Sequence, residues 1–312
     1  MNGPEARGSA AASPAELQRW AGVLGCDHCR SIEKWRSRTS DLWRLECPNG
    51  REVLVRRQRG LNLEDVKRLH RLYSLLHRAL EAQTRVHCPD SLGIDQVSNS
   101  HLMQFVRGQP ADDAVRNHLA RNEYGEAAQV AIVAARALAA FHAAMQQLRD
   151  ESSLPNLPGP SCAETKPGSA VASSASWERP LFGDFALYNL LLAPEGAWLI
   201  DLPARVRIGG IATDLGAFAF HLRRTAAWTL PPRQARRFAH QAVAMAVDAY
   251  AQEVGSHGAV IRQAVWRAEA RRAFGMARKR WRSGSQRGAC GYFAWSVSAL
   301  VCRSPRLRSG RL

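Results

Sequence analysis

Three oxygen-bearing side chains fall within one short segment, LFGDFALYNLLLAPEGAWLID, which runs from Leu181 to Asp201. Asp184 follows a glycine, Asn189 stands on the same loop, and Asp201 closes an apolar run. Carboxylate and amide oxygens are hard donors suited to magnesium, which usually takes one or two carboxylates together with phosphates and water. Phosphoryl transfer from ATP needs such a set. One group positions an acceptor hydroxyl and takes or orients its proton, and oxygen ligands hold magnesium against the phosphates. Asp184 and Asn189, sharing a loop, can face one point. Leu190–Ala193 and Ala197–Ile200 flank a Pro-Glu-Gly turn and read as a hairpin that would return Asp201 to the same mouth.

The elements that must position this loop are legible on both sides of it. Ser13-Pro14-Ala15-Glu16 reads as a helix start, with proline at the first helical position. Trp43–Cys47 and Glu52–Arg56 flank Pro48-Asn49-Gly50, and Asn-Gly between two β-prone runs predicts a hairpin. From Leu63 to Leu80 apolar residues recur at helical spacing, and Leu102–Val106 reads as another strand. The chain then turns helical, over Gly125–Gln147, from Thr213 onward, and over Ala239–Glu253 and Ala259–Arg280. Residues 150–180, crowded with Ser, Pro and Gly, read as a loop or insertion. The tryptophans Trp35, Trp43, Trp198 and Trp228 are expected in packed positions, and His142 reads as a packed helix residue. Asp214 reads as an N-cap to a helix beginning near Leu215.

The chain has 312 residues, 46% of them hydrophobic, which is enough to bury one or two cores. Its formal charge is +16, and most of the excess lies from Ile261 to Leu312, with 13 Lys/Arg against the single acid Glu269. Such a tail is a solvated cationic end that can make weak contact with a polyanion or membrane surface; no nucleic-acid-binding motif accompanies it, so no specific nucleic-acid partner is expected. Seven scattered cysteines suggest no disulfide framework and fit a reducing cytoplasm. Cys26-Asp27-His28-Cys29 lacks the second ligand pair that a zinc site requires. The opening Met1–Glu5 lacks the basic-then-apolar run of a signal peptide, and apolar stretches are interrupted or short, so a cytoplasmic protein is expected.

Gly-Asp-x-x-x-x-Asn at 183–189, an apolar run, and Ile200-Asp201 together resemble the catalytic and metal-binding segments of the aminoglycoside phosphotransferases. These are small-molecule kinases related to choline kinases and to protein kinases. Ala137–His142 resembles the family's Leu-His-ending helix, and Thr213-Asp214-Leu215 its Asp-Leu signature. The resemblance covers roughly 32–253. It implies an α+β, two-lobed protein-kinase-like fold, with a small antiparallel-sheet lobe over 14–106 and a mainly helical lobe over 107–282 carrying the catalytic loop 182–201; composition adds a disordered segment 1–13 before it and a basic tail over 283–312 after it.

The same resemblance implies a phosphotransferase with an alcohol group as acceptor. ATP would be the phosphate donor, magnesium the cofactor, and an aminoglycoside, sugar or amino alcohol the acceptor. Asp184 is then the catalytic base, and Asn189 and Asp201 are the magnesium ligands. Backbone groups around Gln104 to Val106 would hold the adenine, Arg56 stands where the family has its phosphate-contacting lysine, and Ser37, Thr39 and Ser40 stand in its phosphate loop. The sequence departs from the family pattern at Phe182, where histidine is usual, and at 36–40, which lacks glycine. A non-catalytic binding protein of the same fold is the alternative that these departures leave open. Arg205, Arg207 and the basic C-terminal region suit an anionic acceptor, such as a lipid-linked or cell-envelope sugar.

Overall fold

The computed structural model describes residues 12–37, 39–151, 178–256, 258–285 and 290–292. The expected disordered start up to residue 11, most of the Ser/Pro/Gly-rich loop (152–177), Arg38 in the expected phosphate loop, and most of the basic tail lie outside the described residues. The backbone divides into two compact units. One comprises Met1–Gly108 with Ala193–Arg205, and the other Gln109–Leu192 with Val206–Leu312.

The first unit opens with α1 (Pro14–Leu24), whose start is a capping box: Ser13 Oγ accepts from the Glu16 N–H, and Glu16 reaches back to the Ser13 N–H. A sheet follows, built from β1 (Arg30–Arg36), β2 (Ser40–Glu46), β3 (Glu52–Gln58), β5 (Ser91–Asp95) and β6 (Ser100–Gln104). Its order is β1-β2-β3-β6-β5 and every neighbouring pair is antiparallel. The β2–β3 hairpin turns at Asn49-Gly50, where the Gly50 N–H donates to Cys47 O at 2.9 Å. Trp20, Trp43, Leu45, Val53, Val55 and Leu102 fill the core beneath this sheet. Each such side chain withdrawn from water contributes about 1.5–3 kcal/mol.

Helix α2 (Leu63–Glu81) carries Val66, Leu69, Leu72, Tyr73, Leu76 and Leu80 on its buried side, the i, i+3, i+4 spacing of an amphipathic helix. Asn62 caps it by accepting from the Asp65 N–H. A short parallel pair, β4 (Val86–His87) with β10 (Gly196–Leu199), completes the unit.

The second unit is mainly helical. Helices α3 (Ala111–Ala120), α4 (Tyr124–Asp150), α5 (Ala212–Thr229), α6 (Pro232–Glu253) and α7 (Gly258–Arg282) account for most of it. Two small antiparallel pairs accompany them: β7 (Gln109–Pro110) with β9 (Leu190–Ala193), and β8 (Glu178–Leu181) with β11 (Arg207–Gly210). By length and composition α4 could cross a membrane. Here it is a core helix whose alanines and Leu138, Phe141 and Met145 are buried, with α6 packed along it.

Helices α5 and α7 meet at close range. A Cβ added to Gly216 would lie 2.6 Å from Ala268 Cβ and 2.9 Å from the Ala268 carbonyl carbon. Only glycine admits this approach, and one turn further along each helix it delivers His221 and Arg272 to the same place.

Trp43 and Trp198 are buried, as their composition suggests, but Trp228 is 53% exposed. Its ring instead carries the Arg224 guanidinium at 4.9 Å, a cation–π contact that needs no core.

Candidate active site

The loop carrying Asp184 is fixed from beneath by Asp214. The helix expected near Leu215 begins earlier, at Ala212, so Asp214 lies inside its first turn rather than at the N-cap. Its carboxylate is fully buried and turned away from the helix end. Oδ2 accepts from the Phe182 N–H and Oδ1 from the Gly183 N–H, both at 2.7 Å. His142 Nε2 lies 3.1 Å from Oδ2, and His142 Nδ1 is 2.8 Å from the Tyr250 hydroxyl. One carboxylate therefore ties α4, α5 and the loop together through charge-assisted hydrogen bonds.

Gly183 has φ +87, a conformation that L side chains rarely adopt. Phe182 is buried edge-on against Phe141 and Phe185, each at 5.3 Å between ring centroids. That position contributes to packing.

Above this anchor Asp184 is 60% exposed, with Arg272 of α7 ion-paired to its Oδ1 and His221 Nε2 3.6 Å away. Burial pushes the Asp184 carboxyl up, but the neighbouring His221 and the charge of Arg272 outweigh it and hold the group below its ordinary value. His221 is moved down by burial, with Asp184 opposing and Arg224 and Arg272 adding to the shift, so its imidazole is neutral near pH 7. Tyr188 stands edge-on to His221 at 5.3 Å.

Asn189 closes the short 3-10 turn Leu187–Asn189. Its amide nitrogen donates to Asp184 O at 3.0 Å, which fixes the amide and leaves Oδ1 as its donor atom for a cation. Arg272 and His221 escape sequence reasoning because both reach the loop through helix packing; Asp214 is flagged only as a cap.

In the first unit, Arg56 on β3 is ion-paired with Asp201. The acidic partner of Arg56 thus comes from the apolar run's end, whereas Glu64 on α2 pairs with Lys67. Tyr73, also on α2, accepts from the Leu202 N–H at 3.1 Å and so holds the backbone beside Asp201. Asp201 itself has φ 59, a left-handed position that aspartate tolerates better than most residues.

The remaining nucleotide-side residues have mixed positions. The Gln104 N–H donates to Asp90 O at 2.9 Å and the Phe105 N–H to Glu52 O at 3.2 Å, leaving Val106 as the next backbone position toward a ligand. A cavity of about 540 Å³ borders this stretch, lined in part by Glu52, His77, Asp90, Gln104, Phe105 and Arg107. Ser37 is committed to its own turn. Its hydroxyl donates to Ser40 O and accepts from the Thr39 and Ser40 N–H groups, while Ser40 is buried. Thr39 is exposed.

Among the described residues no group of three or more His, Cys, Asp or Glu could hold a metal ion.

No protein-family profile matches this chain, and no curated protein matches it. Solved structures do. The protein of a streptomycin–ATP–APH(2")-IIa ternary complex aligns with a TM-score of 0.53 at 12% identity, over 91% of this chain and 99% of its own. A choline kinase from Cryptosporidium parvum aligns with a TM-score of 0.52 at 11% identity, over 87% of this chain and 89% of its own. The fold is that of the protein-kinase-like small-molecule kinases, with an antiparallel-sheet N-terminal region and a mostly helical C-terminal region.

Proposed function

We propose that this chain is an ATP-dependent phosphotransferase acting on a hydroxyl of a small molecule, with Asp184 as the catalytic base. The observation that carries the reading is the anchoring of the Asp184 loop. Asp214 takes the two N–H groups immediately before Asp184, so the exposed carboxylate is presented from a loop that cannot swing away. Its depressed proton affinity keeps it ionised at neutral pH, the state needed to orient and then accept a hydroxyl proton.

Asn189 Oδ1 and the Asp201 carboxylate are the proposed magnesium ligands; the ion, when bound, would offset the charge on the phosphates. Arg56, held near Asp201, has the fork geometry to take a phosphate oxygen pair in place of a lysine. The adenine is assigned to the backbone at Gln104–Val106, where Val106 is the open position. Of the three hydroxyls at 37–40, Thr39 is the one that can turn to phosphate without dismantling the hairpin turn. Neighbours with solved structures include an APH(2")-IIa bound to streptomycin and ATP and a choline kinase, which supports a nucleotide donor and a hydroxyl acceptor.

A second reading is favoured by one observation: an arginine of the chain covers each of the two acids, Arg56 on Asp201 and Arg272 on Asp184. A binding protein that never turns over would carry such permanent pairs. The test is a panel of hydroxylated small molecules incubated with MgATP and followed by ³¹P NMR, alongside the shift in melting temperature caused by MgATP. Appearance of a phosphate ester supports the enzyme. MgATP binding without any ester would favour the binding protein, and absence of both would remove the kinase reading.

A further inference from the structure

If the chain is the phosphotransferase proposed above, its acceptor must dock beside Asp184, and the groups there are cations. Helices α5, α6 and α7 carry 13 arginines and lysines against four acids, Asp214, Asp248, Glu253 and Glu269. All four acids are engaged. Asp214 holds the loop and His142, Asp248 pairs with Arg262, Glu253 with Arg136, and the fully buried Glu269 with Arg223 at 2.6 Å. These helices therefore offer no free carboxylate to an amino sugar or a quaternary amine. A cationic acceptor approaching Asp184 would meet Arg272 already on that carboxylate.

The same neighbourhood holds buried nitrogens that lack acceptors among the described residues. Arg272 Nε, Arg224 Nε and His221 Nδ1 are buried with no hydrogen-bond partner there. A buried N–H left without an acceptor is costly, and such groups in a native protein ask for a ligand. The three residues are neighbours: Arg272 Nη2 lies 3.3 Å from His221 Nε2, Arg272 stacks over Phe220 at 5.9 Å, and Arg224 follows His221 by one helical turn on α5, its guanidinium over Trp228 at 4.9 Å.

We propose that the acceptor carries an oxyanion, a phosphate or a carboxylate, near its reacting hydroxyl, and that Arg272, with Arg224 and His221, receives it. Guanidinium groups match both oxyanions bidentately. In the free protein Arg272 lies on Asp184. On binding, the acceptor's anion takes the guanidinium and the hydroxyl takes the carboxylate, so one exchange seats both ends of the substrate. This rests on the phosphotransferase reading for its meaning, though the anion site is measurable without turnover.

The experiment uses the full chain and four probes sharing one skeleton: glucose, glucosamine, glucose 6-phosphate and glucuronate. Binding is read by calorimetry at constant ionic strength. The phosphate and carboxylate probes should bind at least about tenfold tighter than glucose and glucosamine, and inorganic phosphate should displace them. Glucose 6-phosphate against glucuronate decides which oxyanion is preferred. Arg272→Gln and Arg224→Gln should each erase the preference, and Arg272→Lys should keep part of it. Should a variant misfold, the phosphate competition on the unaltered protein decides alone.

Equal or tighter binding of glucosamine, failure of the anionic probes to bind at 20 mM, or an anion preference that survives both glutamine variants would overturn the proposal. A thermal shift with MgATP separates the two readings. Anion preference without MgATP binding removes the kinase and leaves this site standing, whereas MgATP binding with a preference for glucosamine does the reverse.

Discussion

Each unit holds one acid of the sequence argument against one arginine, but the two pairs rest on different foundations. Arg56 projects from β3 in the middle of the first unit's sheet and is 11% exposed; its partner Asp201 sits in a left-handed turn whose next residue is tied to Tyr73. Ladder and turn set that pair, so neither member moves without moving backbone. Arg272 projects from a helix onto Asp184, which is 60% exposed, and a neutral imidazole stands alongside. Side chains set that pair, and side chains can exchange. Under the proposed function, the first arrangement would keep groups in register on a nucleotide and the second would release and re-form around a substrate.

Four measurements break or sharpen this contrast. Asp184→Asn removes the proposed base while leaving both units folded, and kcat should fall by about 10³-fold, the usual contribution of a positioned proton acceptor; steady-state kinetics checks this, and near-normal kcat would withdraw Asp184 from that role. Asp214→Asn sets an amide NH2 against a backbone N–H and should destabilise the second unit by about 3 kcal/mol, as for other broken buried charge networks. Urea unfolding reads that loss, and the accompanying drop in kcat should show that the exposed acid depends on the buried one. Gly216→Ala drives a methyl into the α7 backbone and should cost about 2 kcal/mol by overpacking. Its sharper signature is displacement of Arg272, seen as a rise in the Asp184 carboxyl pKa by ¹³C NMR.

The fourth measurement concerns the first unit. Burial, the neighbouring His70 and the charge of Arg56 depress His101 from 6.5 to about 3. Above pH 6.5 the imidazole is neutral in both folded and unfolded chains, and stability is indifferent to it. Between 6.5 and about 3 only the unfolded chain takes up the proton, so stability falls with falling pH by up to about 1.4 kcal/mol per unit. Urea midpoints at pH 7.5, 6.5 and 5.5 should show this slope, and His101→Gln should flatten it. In the second unit the depressed His221 adds to the loss of stability below pH 6.5, whereas Asp184, held below its ordinary value, adds its own loss only below about pH 4.

Much of this architecture was legible in the sequence because it is written in local patterns. The apolar period of α2, the Asn49-Gly50 turn and the capping box at Ser13 each declare themselves within a dozen residues. The Gly183–Asn189 spacing likewise marks a loop that can do chemistry. What stayed hidden is the pairing. Arg56 and Asp201 are 145 positions apart, and Arg272 and Asp184 are 88 apart; no local rule selects those partners from 43 arginines and lysines. Asp214 looked like a cap because aspartate near a helix start usually is one. The loop's two N–H groups and His142 outcompeted the helix end for it. Ser37 misled in the opposite direction. A hydroxyl in a phosphate-loop position suggested a ligand contact, but short polar side chains bond to their own backbone whenever a turn permits.

The Asp214 anchorage has a consequence for redesign. The Asp184 loop is moored to the bundle interior by one buried side chain, so under the proposed function substitutions on the outward face of α6 leave the carboxylate's setting intact, whereas changes on α7 reach it through Arg272. Selectivity and reactivity would then meet on α7, and a library placed there would alter both at once.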